Sequence, residues 1–144
     1  MYCALIDFGT PEFDEAMQLR HEVLHKPLNL VYSPEEIAEE YKEFHIGCYD
    51  QQSLELLGVL TLKPISESVI KMRQVAISID KQSKGIGTFL VKDSEIFSKK
   101  KGFTKIELSA RMAAVPFYKK NEYDTEGEKF VEVGIDHYNM YKNL

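Results

Sequence analysis

Between residues 68 and 102 the period of the sequence changes abruptly, and this change limits the fold more than anything else in the chain. "SVIKMRQVAISID" alternates with period two, placing Val69, Lys71, Arg73, Val75, Ile77 and Ile79 on one face of a strand. "QSKGIGTFL" follows at once, and Phe89, Leu90, Ile96 and Phe97 then recur at helical spacing up to Gly102, a helix stop. A strand that passes through glycines straight into a helix leaves backbone N–H groups uncovered at the helix start. Such a turn is a ready seat for phosphate.

The flanking segments read as further regular elements. Residues 2–8 form a strand, and "TPEFDEAMQLRHEVLH" a helix with Thr10 as N-cap and Pro11 at its first position. Its apolar stripe is Phe13, Ala16, Met17, Val23 and Leu24, and Arg20 falls inside that stripe. "SPEEIAEEYKEF" repeats the cap logic with Ser33 and Pro34. Strands follow at about 44–49, 54–63 and 68–79, then the helix, a strand "FTKIELSA", a short helix "AAVPFYKK", and two strands near 128–133 and 137–143. At 144 residues, a single domain spanning 1–144 is expected.

Composition removes several function classes. With 44% hydrophobic and 28% charged residues the chain is neither disordered nor fibrous. The net charge of -5 opposes sequence-independent nucleic-acid binding. The apolar runs are too short for a membrane span, and "MYCALIDFG" has no basic start, so the expected compartment is the cytoplasm. Cys3 and Cys48 lack the paired spacing of a zinc site and read as reduced packing residues; no metal is expected.

Spacing narrows the phosphate loop. A Walker loop needs Gly, four residues, then Gly-Lys-Ser/Thr, which is absent, and the dinucleotide fingerprint needs a glycine where Leu90 stands. What remains is Gln82-x-x-Gly85-x-Gly87 after a long strand, with "AVPFYKKNEY" after the next one. This combination resembles the GNAT superfamily of acyl-CoA-dependent N-acetyltransferases, and the order of strands and helices matches over nearly the whole chain. The resemblance implies an α/β (α+β) fold: a central mixed, mostly antiparallel sheet of about seven strands flanked by about four helices. It implies acetyl-CoA as cosubstrate. On that carry-over Val75, Ala76 and Ile77 meet the pantetheine arm. The stretch Gln82, Ser83, Lys84, Gly85, Ile86, Gly87 and Thr88 holds the pyrophosphate, and Phe117 also contacts the cofactor.

Acetyl transfer to an amine needs a neutral nucleophile, an oxyanion donor and an acid for the departing thiolate. Tyr118 takes the place of the family's tyrosine in the "FY" pair, which points at the thioester sulfur and donates while protonated. Of His21, His25, His45 and His137, the last is singled out because "EVGIDHYNMYK" is similar to the tail of the glyphosate N-acetyltransferase-like branch, where that histidine is the base. Arg20, Arg73 and Arg111 coincide with arginines that in that branch surround the acid groups of the substrate. Guanidinium forks suit carboxylate, phosphate or phosphonate. The expected partner is therefore a small amine carrying an acid group, with a monomer or homodimer equally open.

Departures from the pattern are Asn121-Glu122-Tyr123 for Leu-Gly-Phe, Ser109 for His or Asn, and Asp136 for a proline before the histidine. Two alternatives stay open: a protein or peptide acceptor, and a non-catalytic module that binds acetyl-CoA. The sequence leaves the acceptor, the oligomeric state and the acyl-chain range undefined.

Overall fold

Thr10 and Pro11 start the first helix as their chemistry requires: the Thr10 hydroxyl accepts from the Phe13 amide at 3.3 Å and donates to the Asp7 carbonyl at 2.7 Å. The computed structural model describes all residues from Met1 to Leu144. Its strands are β1 (Tyr2–Ile6), β2 (Phe44–Tyr49), β3 (Leu56–Pro64), β4 (Val69–Ile77), β5 (Lys105–Arg111), β6 (Asp124–Glu132) and β7 (Ile135–Asn143). Its α-helices are α1 (Pro11–Arg20), α2 (Pro34–Glu39), α3 (Ile86–Lys100) and α4 (Val115–Lys120).

The strands form one seven-stranded sheet in the order β1-β2-β3-β4-β5-β7-β6. Pairing is antiparallel between β1 and β2, β2 and β3, β5 and β7, and β6 and β7, and parallel between β4 and β5. This is the mixed, mostly antiparallel sheet with four helices that the resemblance implies.

Boundaries depart from the sequence reading where backbone conformation intervenes. The first helix is regular only to Arg20, and His21–His25 continue as one wider π-type turn. Ile79 lies beyond β4, in a tight turn, and is exposed. β6 begins four residues earlier than expected because its register shifts between Glu126 and Phe130, around a left-handed Gly127 (φ 77°).

The chain divides into two compact units, residues 1–63 with 74–94, and residues 64–73 with 95–144. In the first, Ile6, Phe13, Ala16, Val59 and Ala76 pack together, with Met17, Val23, Leu24 and Ile37 against them. Cys3 and Cys48, distant in sequence, face each other across β1 and β2 as free thiols. In the second unit one sheet face is apolar: Ile70 pairs with Ile106 and Leu108 with Met140, and Met72 and Ala110 share their burial. The opposite face carries the polar residues that matter below.

Candidate active site

The glycine turn joins β4 to α3, with Gly85 before the helix and Gly87 inside it. Ser83 (φ 64°) and Gly85 (φ 83°) are both left-handed, and a Cβ on Gly85 would meet nothing within 4 Å. Glycine is therefore favoured there by its backbone angle and not by crowding. Gln82, Ser83, Lys84 and Gly85 are exposed, and the Gln82 amide side chain donates to the Ile77 carbonyl at 3.1 Å, tying the turn back to the end of β4. The Phe89 amide, bonded to the Gly85 carbonyl at 3.1 Å, is the first to find its helical partner. The preceding amides of Ile86, Gly87 and Thr88 open the 15-residue α3 and form its positive end.

In the second unit, the polar face of β5 and β7 brings together several residues singled out from the sequence. Arg111 lies directly opposite His137, and Ser109 opposite Asn139, with the Ser109 hydroxyl donating to Asn139 Oδ1 at 3.1 Å. Lys71 pairs with Glu107 on the same face, and strand alternation puts Arg73 there as well. The β4–β5 register runs from Val69 and Lys105 only to Lys71 and Glu107, although both strands continue beyond. Lys71, Glu107, Ser109, Glu126 and Asn139 line a depression of about 420 Å³, and Arg73, Arg111 and His137 lie outside its lining. Lys105 bridges its two carboxylates, at 3.5 Å from Glu107 and 3.9 Å from Glu126.

His137 is held on two sides. Its ring stacks on Phe130 with centroids 5.5 Å apart, and Nδ1 lies 2.7 Å from the Ile135 carbonyl. A carbonyl only accepts, so Nδ1 carries a proton, which in the neutral ring leaves the lone pair on Nε2. The ring is 5% exposed. Asp136, where the resemblance leads one to expect proline, points elsewhere and pairs with Lys129 at 3.5 Å.

Tyr118 is buried on α4, edge-on to Phe117 (5.1 Å) and Tyr123 (5.7 Å). Burial alone pushes its phenol above the ordinary tyrosine range, so it remains a proton donor at neutral pH. Tyr123 is raised too, by burial and by Glu95, whose carboxylate accepts its hydroxyl at 2.9 Å. The same carboxylate holds Lys142 at 3.0 Å. Asn121 closes α4, its side-chain amide donating to the Phe117 carbonyl at 2.9 Å.

Arg20 differs from the expectation for an acceptor contact. It is 1% exposed, and its two terminal nitrogens meet Glu40 at 2.6 and 2.7 Å while Nε donates to the Tyr32 hydroxyl at 2.8 Å. Burial opposes its charge, but Glu40 and Tyr32 more than offset this and hold its pKa above the usual arginine value. The fork assigned to an acceptor's acid group is thus engaged within the protein. Beside it, His45 donates from Nε2 to the Glu40 carbonyl at 2.9 Å, as a packed core histidine does.

The sequence reading missed Glu40, Tyr32, Gln74 and Asn139. Asn139 had a signal, since it stands two residues after His137 on a strand and must share its face. Glu40 sits in an acidic run, "EEIAEE", in which nothing in the sequence marks one carboxylate for burial.

Comparison with known proteins settles the family. Residues 14–144 match the family model described as the acetyltransferase (GNAT) domain. The chain belongs to the GNAT acetyltransferase family. It is 32% identical over 142 residues to the uncharacterised N-acetyltransferase YjcF of Bacillus subtilis (strain 168), covering 97% of this chain and 99% of that one. Two solved structures share the fold. One is an aminoglycoside 6'-N-acetyltransferase complexed with coenzyme A (TM-score 0.82, 18% identity, 99% of this chain and 97% of that one). The other is a GNAT family acetyltransferase from Elizabethkingia anophelis with acetyl-CoA bound (TM-score 0.75, 19% identity, 99% and 97%). The protein is accordingly an acyltransferase whose cosubstrate is acetyl-CoA, and no helix in it is long and apolar enough to cross a membrane.

Proposed function

We propose that this GNAT enzyme acetylates a small amine bearing a carboxylate, phosphate or phosphonate, by direct transfer from acetyl-CoA. This is the chemistry of the glyphosate N-acetyltransferase-like branch. The observation that carries the reading is the juxtaposition of Arg111 with His137 across β5 and β7, on the face that also holds Arg73. A guanidinium can hold an acid group while the imidazole, clamped at Nδ1 and against Phe130, takes the proton of the neighbouring amine on Nε2 when the ring is neutral. The polar depression lined by Ser109 and Asn139 lies one same-face pair further along β5 and β7 from Arg111 and His137, and the part of an acceptor remote from its acid group extends toward it.

The remaining roles follow from the same chemistry. The turn from Gln82 to Thr88, left-handed at Ser83 and Gly85, takes the pyrophosphate on bare amides and the start of α3. The backbone of Val75, Ala76 and Ile77 lines the pantetheine arm, and Phe117 packs against the cofactor. The amine nitrogen attacks the thioester carbonyl, the C–S bond breaks, His137 Nε2 takes the amine proton and Tyr118 protonates the departing thiolate. Arg73 and Arg111 orient the acid group. Arg20 serves instead as internal structure.

The direct test is thiol release by His137→Gln at saturating substrates. A fall in kcat of about 100-fold or more with acetyl-CoA affinity retained is expected. Wild-type turnover in that variant would remove His137 as base.

A further inference from the structure

Gln74 (φ 55°) is the only non-glycine residue with a left-handed backbone inside a strand of this protein. It stands in the middle of β4, immediately before Val75, where an extended run would otherwise continue straight. A glutamine does not hold that conformation unaided, and its side chain is the residue's anchor. Its Oε1 accepts from the Tyr32 hydroxyl at 3.0 Å.

The direction of the bonds follows from donor chemistry. A guanidinium N–H only donates, so the Tyr32 oxygen accepts from Arg20 Nε, and the single phenolic proton is left for Gln74. Arg20 is itself fixed by its two-pronged pairing with Glu40 and lies 4.8 Å above the Tyr32 ring. Four side chains thus form one line, Glu40–Arg20–Tyr32–Gln74, buried at Glu40 and Arg20 and half-buried at Tyr32 and Gln74, ending on a kink in the strand.

We infer that Tyr32 and Gln74 are positioning residues for the acyl donor: their hydrogen bond holds the left-handed kink of β4 that aims the backbone of Val75, Ala76 and Ile77 at the pantetheine arm. This rests on the proposed role of those three residues. It also gives the buried arginine a task that does not require it to touch the acceptor.

Calorimetric titration with acetyl-CoA tests it through a double-mutant cycle. Tyr32→Phe deletes only the hydroxyl and keeps the ring beneath Arg20; affinity should fall about tenfold, with kcat at saturation little altered. Gln74→Ala should fall similarly, because alanine resists the left-handed angle and has no anchor. Glycine adopts that angle freely, so Gln74→Gly should bind within about twofold of wild type, and adding Tyr32→Phe to it should cost nothing further. Circular dichroism checks folding, and if Tyr32→Phe fails to fold, the contrast between Gln74→Ala and Gln74→Gly carries the same question. The inference is overturned if Tyr32→Phe binds like wild type, if it loses affinity equally in both backgrounds, or if Gln74→Ala and Gln74→Gly bind alike. A wild-type chain with no affinity for acetyl-CoA would instead overturn the underlying assignment of β4, and this inference with it.

Discussion

Glu122 is held at φ 72°, the left-handed region, one residue after Asn121 caps α4. Relatives implied by the sequence resemblance carry glycine there, and the angle explains why. Its carboxylate is exposed and only 3.7 Å from Lys142, a pairing worth little at the surface. Glu122→Gly should therefore stabilise the protein by about 1 kcal/mol in chemical denaturation. Tyr123, the companion departure, keeps the buried place of a phenylalanine because Glu95 accepts its hydroxyl. At this scale the places of two residues were legible, Tyr118 on its short helix and His137 near the start of the last strand, and the roles proposed for them come from the resemblance. Their surroundings were not: the Ile135 carbonyl that sets the imidazole tautomer is backbone, and no side-chain pattern announces it.

Elements were legible wherever local chemistry decides them. Thr10 with Pro11 and Ser33 with Pro34 begin helices at the positions their types require. The kink at Gln74 was illegible, because the alternation of "VIKMRQVAI" runs through it and glutamine is not a residue type that marks a left-handed angle. Two predictions belong here. Gly85→Val forces a β-branched residue to φ 83° at the mouth of α3, and acetyl-CoA affinity should weaken at least tenfold by calorimetry, with folding intact. Glu40→Ala strips the partner from a guanidinium 1% exposed at the end of α1, and should cost about 3–5 kcal/mol in denaturant unfolding.

For the whole molecule, the order of strands and helices was readable because the period of hydrophobicity changes at each boundary, whereas the pairing partners were not, since β5, beside its parallel pairing with β4, joins β7 and not β6, the strand that follows it. Alkaline stability is also a property of the whole chain. Tyr118 and Tyr123 both have folded-state pKa values raised above the ordinary tyrosine value, so the folded state holds their protons more tightly than the unfolded chain does. Their contribution is complete below about pH 10 and is lost as pH rises above it, where the unfolded phenols ionise. Thermal melts from pH 8 to 11 should show Tm falling above about pH 10, with a shallower fall in Tyr118→Phe.

The central claim is that an acid group on the acceptor is gripped by Arg111 and Arg73 while His137 takes the amine proton. Initial rates of thiol release from acetyl-CoA, compared between an amino acid-type acceptor and its uncharged amide or ester, test this most directly. The account predicts at least a tenfold higher kcat/KM for the anionic acceptor, and collapse of that preference in Arg111→Met. Equal rates for charged and uncharged amines, or a preference that survives Arg111→Met, would contradict it.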